Sequence, residues 1–367
     1  MPENLTAKRK QSHIQTTMFR DVQSHVPTGF DDVRFVHRAL PEIDRDEVDL
    51  STEIFDHRMQ APLIIESMTG GTPKAAKINR TLARIAEKLG IGMGVGSQRA
   101  AIEDEKLKYT YRVARDAAPS IPLFANIGCP QLSREDAVER AKKAVEMIDA
   151  NGLFIHLNAL QESVQYEGET DFSKILQRIR DVVQALSVPV LIKETGAGIA
   201  SETAREAEAV GVKGINVSGL GGTSWAAVEY YRAREGHHPV QIELGKTYWD
   251  WGVPTVASIV EVATTTRLKV FASGGVRNGL HIAKALALGA HYGGLALPML
   301  KSAVTGEKTG TSRLIVLIEE LRNALFLTGS RNVDELRKTP LVITGDTYLW
   351  LYQRGFNPAA YALRRKS

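Results

Sequence analysis

From about residue 62 onward, short apolar runs alternate with stretches whose apolar residues recur at helical spacing. That alternation is the signature of a parallel α/β fold. The pattern predicts strands over 62–66, 91–95, 122–126, 152–157, 189–193, 214–217, 269–273 and 292–297. Amphipathic helices fit between them. Over 74–89, Ile78, Leu82, Ile85 and Leu89 fall on one helix face. Over 133–150, the opening Ser-Arg-Glu-Asp predicts Ser133 as the N-cap, with acids in the first turn. Eight strand–helix units point to a (β/α)8 barrel of the TIM type. A doubly wound sheet is the alternative, but it rarely supplies eight consecutive units at such even spacing.

Two regions break the regularity. Residues 1–60 precede the first strand and are expected to pack on or over a barrel formed by 61–367. They contain Lys8-Arg9-Lys10, and such a run by itself reads as a solvated tail. The segment between strands 6 and 7 is a long insertion, and 219–251 holds three of the four tryptophans. Insertions after a barrel strand usually cover the active site. Composition narrows the class further. A hydrophobic share of 43% with 24% charged residues suits a soluble protein with a sizeable core. The net charge of +4 is too small to suggest nucleic acid. The single cysteine, Cys129, permits no intramolecular disulfide and no cysteine-built metal site, which fits a reducing cytoplasm. Residues 2–25 lack the apolar core of a signal peptide, and no apolar run approaches the ~18 residues of a membrane span.

In a barrel, binding and catalytic groups lie where strands end. Here nearly every strand runs into polar residues or glycine. Strand 1 leads into Ser67-Met68-Thr69-Gly70-Gly71, strand 2 into Ser97-Gln98-Arg99, and strand 3 ends in Asn126. Strand 4 leads into His156, Asn158, Gln161 and Glu162, and strand 5 ends in Lys193. Ser218 follows strand 6, Ser273-Gly274-Gly275 follow strand 7, and strand 8 finishes in Ala296-Leu297. Any one of these is explained as a cap or turn former. Seven such ends converging on one rim call for a ligand.

The run 269–289 is an apolar strand, a Gly-Gly turn and an Ala-rich helix, and its bare N–H groups suit a phosphate. It resembles the flavin-phosphate loop of FMN-dependent barrel enzymes that oxidise 2-hydroxy acids. Those oxidases carry an Asn-His-Gly-Gly-Arg segment whose His takes the substrate proton and whose Arg holds its carboxylate. The counterpart here is Gly219-Leu220-Gly221-Gly222-Thr223, with Leu220 in place of the base and Thr223 in place of the arginine. The resemblance implies a retained flavin without the oxidase chemistry.

Over nearly its full length the chain resembles the type 2, FMN-dependent isopentenyl-diphosphate delta-isomerases. The motifs are Arg9-Lys10, M-T-G-G at 68–71, G-V-G-S-Q-R at 94–99, A-N-I-G at 125–128 and H-L-N-x-x-Q-E at 156–162. They continue with K-E-T-G-x-G-I at 193–199, S-G-x-G-G-T-x-W at 218–225, S-G-G-V-R-N-G at 273–279 and L-A-L-P at 295–298. The histidine motif together with G-S-Q-R is specific, whereas the glycine pieces alone are weak. One departure is Tyr166, at a place often taken by proline, which touches loop geometry rather than chemistry.

The resemblance implies conversion of isopentenyl diphosphate to dimethylallyl diphosphate, with reduced FMN as acid/base and NADPH needed only to reduce it. It implies a diphosphate site of Arg9, Lys10, Ser97, Gln98 and Arg99, with Asn158 and Gln161 orienting the substrate. Glu162 is expected to meet Mg2+, and His156, Asn158, Gln161 and Glu162 form the catalytic set. For FMN it implies Ser67, Met68, Thr69, Ser97, Asn126, Lys193, Ser218, Thr223, Gly274, Gly275, Val276, Arg277, Ala296 and Leu297. A homo-oligomer, tetramer or octamer, is implied as well. Trp225 reads as a wall for the alkene or as packing, and Glu229 as a second acid near the metal or a solvated residue. Three other readings compete. A hydroxy-acid oxidase conflicts with Leu220 and Thr223. A nucleotide dehydrogenase wants a nucleophilic cysteine after strand 6, where none stands. A non-catalytic phosphate-binding barrel gives no reason for Glu162 beside Gln161.

Overall fold

The computed structural model describes residues 5–133 and 135–364, and the side chains from Arg9 onward. Pro2 to Asn4, the Lys8 side chain and Arg134 therefore lie outside the described residues. Eight parallel strands close into a barrel in chain order: β1 (Leu63–Ile65), β2 (Gly92–Gly94), β3 (Leu123–Gly128), β4 (Gly152–His156), β5 (Val190–Lys193), β6 (Gly214–Asn216), β7 (Lys269–Ala272) and β8 (Tyr292–Leu295). β8 pairs with β1 in the register Gly293↔Leu63 to Leu295↔Ile65, which seals the ring. The eight predicted strands are all present, each trimmed by a residue or two or, for β3, extended to Gly128. Strand 8 stops before Ala296, because Leu297 already begins the helix Leu297–Thr305.

Side chains alternate across each strand, and both faces are covered. Leu63, Ile65, Leu123, Leu153, Ile155, Val190 and Ile192 face outward into the main core with the surrounding helices. Ile64, Phe124, Phe154, Leu191, Phe271 and Tyr292 face inward and form a separate plug with Ile54 and Met59. The last two come from a hairpin, Thr52–Ile54 with His57–Met59, which closes the N-terminal end of the barrel. Tyr292 Oη donates to Glu53 O at 2.6 Å and ties the hairpin to β8.

The helix Pro73–Leu89 forms as its periodicity predicts, capped by Thr72 Oγ1 accepting from Ala75 N–H. The helix expected over 133–150 is shorter, Ala137–Met147. Ser133 is not its cap: its hydroxyl donates to Pro130 O at 2.8 Å, finishing a 3-10 turn over Cys129–Leu132. Ser133 ends that turn with a helical backbone, φ −65 and ψ −17, not the extended backbone of an N-cap. The insertion between β6 and β7 folds as helices Trp225–Glu235, Pro239–Thr247 and Thr255–Thr265.

The N-terminal run is not a solvated tail. Leu5–Phe19 is helical, and Ile14 and Thr16 on it are buried. Further on, Val33–Phe35 pairs antiparallel with Leu341–Ile343. Residues 22–28 strap the insertion to the barrel mouth: Ser24 N–H donates to Gly222 O and Ser224 N–H to Val22 O.

The aromatic plug supplies a stability test. Phe154 is buried, with its ring 5.2 Å from that of Phe124 and 5.6 Å from that of Phe271. Phe154→Ala should cost about 3–5 kcal/mol, read as a lower urea midpoint with little change in slope. An unchanged midpoint would show that the plug does not hold the barrel together.

Candidate functional site

The polar residues of the mouth follow from the strand pleat. Glu66, Asn126, His156, Lys193, Ser273 and Gly294 each stand two residues beyond a plug residue, and all line one cavity at the C-terminal end of the barrel. Its floor is a hydrogen-bonded layer. Asn216 Nδ2 donates to Glu66 Oε1 at 2.6 Å, and Ser273 Oγ donates to Asn216 Oδ1 at 2.6 Å. Lys193 Nζ lies 3.8 Å from Glu66 Oε2 and donates to Glu194 O at 3.1 Å. Glu194 is turned away from this floor, accepting from the N–H groups of Thr195 and Gly196 at 2.6 Å, which fixes the loop after β5. Burial raises its pKa to about 7 despite those bonds.

One side of the cavity is glycine-lined. Gly274 has φ +95 and Gly275 φ +68. A Cβ on Gly274 would overlap the Gly219 backbone, and one on Gly275 would overlap Thr28 and Gly221. The turns after β6 and β7 therefore meet backbone to backbone, beside the helix Gly279–Leu288 capped by Asn278 Oδ1. Arg277 lines this end and donates to Gln23 Oε1 at 2.8 Å. Near β1, Ser67 Oγ is buried with no hydrogen-bond partner among the described residues. A buried hydroxyl without a partner at a cavity wall marks a place for a polar ligand atom.

The opposite side is cationic. Arg9 and Lys10 come from the N-terminal helix and Arg99 from the start of the helix Arg99–Glu103. Lys10 Nζ donates to Ser97 O at 2.7 Å and to Tyr111 Oη at 2.6 Å. Arg99 is held by Glu103 at 2.8 Å and Glu169 at 2.7 Å. Glu162 faces this group: one carboxylate oxygen accepts from Asn158 Nδ2 at 2.7 Å, the other from Glu169 N–H at 2.8 Å. Burial raises its pKa above the usual carboxylate range. His156 Nδ1 donates to Asn126 Oδ1 at 2.7 Å. Burial, and then Lys193, Lys10 and Arg9, lower its pKa to about 3, so the ring is uncharged at neutral pH with Nε2 as the acceptor.

Of the residues expected at the site, all but one line this cavity. Gln98 does not. It is fully buried, its Nε2 donates to Ala144 O at 2.8 Å, and its Oε1 accepts from Asn126 N–H at 2.9 Å. With both ends of the amide engaged, Gln98 braces β3 from behind the cavity wall. Leu220 lies outside the cavity lining; its backbone hydrogen-bonds to Val253 and Thr255. Cys129 is buried and its thiol is pushed up to about 12 by burial, so it supplies no thiolate at neutral pH. Trp225 lines the cavity, edge-on to His13 at 5.0 Å.

Glu229 is neither solvated nor part of the lining. Its carboxylate accepts from His13 Nε2 at 2.9 Å, Gln161 Nε2 at 3.3 Å and Arg232 Nη1. Burial pushes its pKa up, but His13 and Arg232 outweigh this and hold it below the ordinary range. With its amide turned so that both ends find partners, Gln165 links the cluster to the cations, donating to Glu229 Oε1 and accepting from Arg9 Nη1 at 3.2 Å each.

The chain matches the family model for FMN-dependent dehydrogenases over residues 20–145 and 136–343. It is 49% identical over 360 residues to an isopentenyl-diphosphate delta-isomerase of Thermococcus kodakarensis, covering 96% of this chain and 95% of that one. With the isomerase of Methanothermobacter thermautotrophicus it shares 47% over 360 residues, covering 98% and 100%. The chain belongs to the FMN-dependent isopentenyl-diphosphate delta-isomerase family. Among solved structures, a flavocytochrome b2 variant with sulfite bound superposes with a TM-score of 0.67 at 19% identity, covering 94% of this chain and 88% of that one. At that identity the likeness speaks for the fold.

Several cavity residues of this family member escaped the strand-end reading. Glu66 closes the apolar run of strand 1 and passes for part of it. His13 and Thr17 lie one and two turns beyond Arg9, visible only once residues 5–19 are known to be helical, and that helix has no apolar stripe to announce it. Gln131, also in the lining, carries no local signal at all. The family membership and the unpartnered Ser67 hydroxyl agree with FMN in this cavity. Purified protein should be yellow and release FMN on heating. Gly274→Ala should retain at least tenfold less flavin than wild type, because a left-handed glycine in contact with backbone has no room for a methyl group. Equal flavin content by absorbance would remove the glycine turns from the cofactor site.

Proposed function

We propose that the protein converts isopentenyl diphosphate to dimethylallyl diphosphate by a 1,3-allylic proton shift. The observation that carries the reading is the opposition of Arg9, Lys10 and Arg99 to Glu162 across one cavity, with Leu220 where an oxidase would place its base. The cations suit a diphosphate, and Arg9 and Arg99 bring the planar fork that matches its oxygens. Ser97 and Asn158 add hydrogen bonds beside them. Family membership and close relatives of that name support the same substrate.

The donor sets fit the implied cofactors. FMN would be held by the residues from Ser67, Met68, Thr69 and Asn126 on one wall to Ser218, Thr223, Gly274, Gly275, Val276, Arg277, Ala296 and Leu297 on the other, with Lys193 near the ring edge. Reduced by NADPH and bound there, it would supply an electron-rich acid/base surface for the proton exchange. Mg2+ suits Glu162, because a single carboxylate leaves room for waters and phosphate oxygens around the ion. Among the described residues no three His, Cys, Asp or Glu side chains gather to form an all-protein metal cage.

The chain's own residues then divide the work. Arg9, Lys10 and Arg99 hold the diphosphate by charge and Ser97 by hydrogen bonding. Asn158 and the Glu169 N–H orient Glu162. Gln161, anchored by Glu229, faces the hydrocarbon end of the substrate, and Trp225 walls it from water. Excluding water matters because a cation developing on the alkene would otherwise be quenched. His156, uncharged, offers its Nε2 lone pair to a protonated phosphate oxygen or an ordered water.

The reaction is redox-neutral, which gives a direct test. Isomerisation should require NADPH or dithionite only in catalytic amount, with Mg2+ present. One NADPH oxidised anaerobically per product molecule would overturn the reading in favour of an oxidoreductase. Within the site, Glu162→Gln should lower kcat/KM by roughly tenfold to a hundredfold, the scale of a lost charge-assisted contact. High Mg2+ should recover part of the loss while the flavin content stays at the wild-type level. Unchanged kinetics would take Glu162 out of the site.

A further inference from the structure

The loops around the cationic side are shaped by a residue outside the cavity lining. Tyr111 is fully buried on the helix Tyr109–Ala117, behind the turn that follows β1. A Cβ on Gly70 would overlap its ring, and one on Gly71 would stand 2.8 Å from Ala100 Cβ and 3.2 Å from Lys10 Nζ. The two glycines of M-T-G-G are thus the space that the Tyr111 ring and the Lys10 ammonium occupy. The phenol hydroxyl donates to Ser97 O at 2.6 Å and accepts from Lys10 Nζ at 2.6 Å, and Lys10 donates to the same carbonyl at 2.7 Å. Three groups from three elements close a small ring of hydrogen bonds around one ammonium, which also sits 5.2 Å from the centre of the Tyr111 ring.

We infer that Tyr111 is a positioning residue for diphosphate binding: its hydroxyl fixes the Lys10 ammonium at the cavity wall and so docks the N-terminal helix there. This rests on reading Lys10 as a diphosphate anchor. A lysine chain loses much rotamer freedom when held, and two short acceptors at a buried site offset that cost before any ligand arrives. The electrostatic setting makes the acceptor matter. Burial, and then Arg9, lower the Lys10 pKa to about 7, with Glu103 opposing and Arg99 adding to the fall. The titratable groups around it are Arg9, Arg99, Glu103, Tyr111 and His156, with Glu162 across the cavity; of the charges that shift its pKa, only that of Glu103 favours the charged form. Lys10 is cationic below its pKa, so removing an acceptor from the ammonium lowers that pKa further. The loss of anion binding with rising pH then begins at a lower pH.

The test uses the FMN-loaded protein with Mg2+ and inorganic pyrophosphate, followed by calorimetry and by inhibition of turnover. Tyr111→Phe keeps the ring and removes one oxygen. It should weaken pyrophosphate binding roughly tenfold, the scale of one hydrogen bond to a charged group. KM should rise more than kcat falls, the alkaline limb of kcat/KM should move to lower pH, and the flavin spectrum should stay the same. In a Lys10→Ala background the Tyr111 change should cost nothing further, since the two act through one contact. Wild-type affinity in Tyr111→Phe, or losses that add in the double variant, would overturn the inference. Should Tyr111→Phe lose its flavin, the wild-type protein decides. The 15Nζ signal of Lys10, assigned by its absence in Lys10→Arg, should titrate well below the other lysines. Titration at the ordinary lysine value would place the ammonium in water and overturn the inference. Wild-type protein that binds pyrophosphate but does not isomerise would sink the proposed function alone.

Discussion

A parallel strand buried on both faces has few places for a polar side chain. In this barrel the outward positions face helices, and the inward positions at the N-terminal end fill with Phe124, Phe154, Phe271 and Tyr292 under the hairpin that carries Ile54 and Met59. Polar groups fit only one layer further along, where the interior opens. Glu66, Asn126, His156, Lys193, Asn216 and Ser273 occupy that layer, and they are paired with one another or with backbone. The aromatic plug and the polar floor are therefore two consequences of one pleat, and the position of the cavity follows from both.

Around the floor, three distant parts of the chain complete the mouth: the N-terminal helix, the insertion after β6 and the loop carrying Glu162 and Glu169. They bring buried charge with them, and much of it is paired locally. Glu229 is shared among His13, Gln161 and Arg232, while Glu103 and Glu169 flank Arg99. Breaking such a group leaves an uncompensated charge in a low dielectric. The pairings also hold loops that lack regular hydrogen bonding of their own, as when Glu169 meets Arg99 through its side chain and Glu162 through its backbone.

The fold is shared with flavoenzymes of other activity at under 20% identity, as the flavocytochrome b2 superposition shows. Function rests on the site rather than on the barrel. At the turn after β6, Leu220 pairs through its backbone with the 253–255 segment, and its side chain is not part of the cavity lining. Across the mouth, two of the three cations, Arg9 and Lys10, are supplied by a helix that precedes the barrel.

The sequence by itself determined the eight strands, their order and the rim residues at their ends, because a strand's pleat is local and a residue two places past an apolar inward position must share its face. It also carried the family, through motifs that lie on those ends. Tertiary structure alone decided the rest. Gln98 sits in the same motif as Ser97 and Arg99, yet turns beneath a neighbouring helix to brace Asn126, a choice that depends on what packs behind the loop. Ser133 does not cap the helix because it closes the preceding 3-10 turn with a helical backbone. Residues 5–19 have no apolar stripe, so their helix carried no periodic signal, and the place of Arg9, Lys10 and His13 had to come from what they touch. Tyr111 entered only through contacts 41 residues from Gly70 and 101 from Lys10 in sequence. Local pattern fixes which face a residue presents; which distant group it meets there is set by packing.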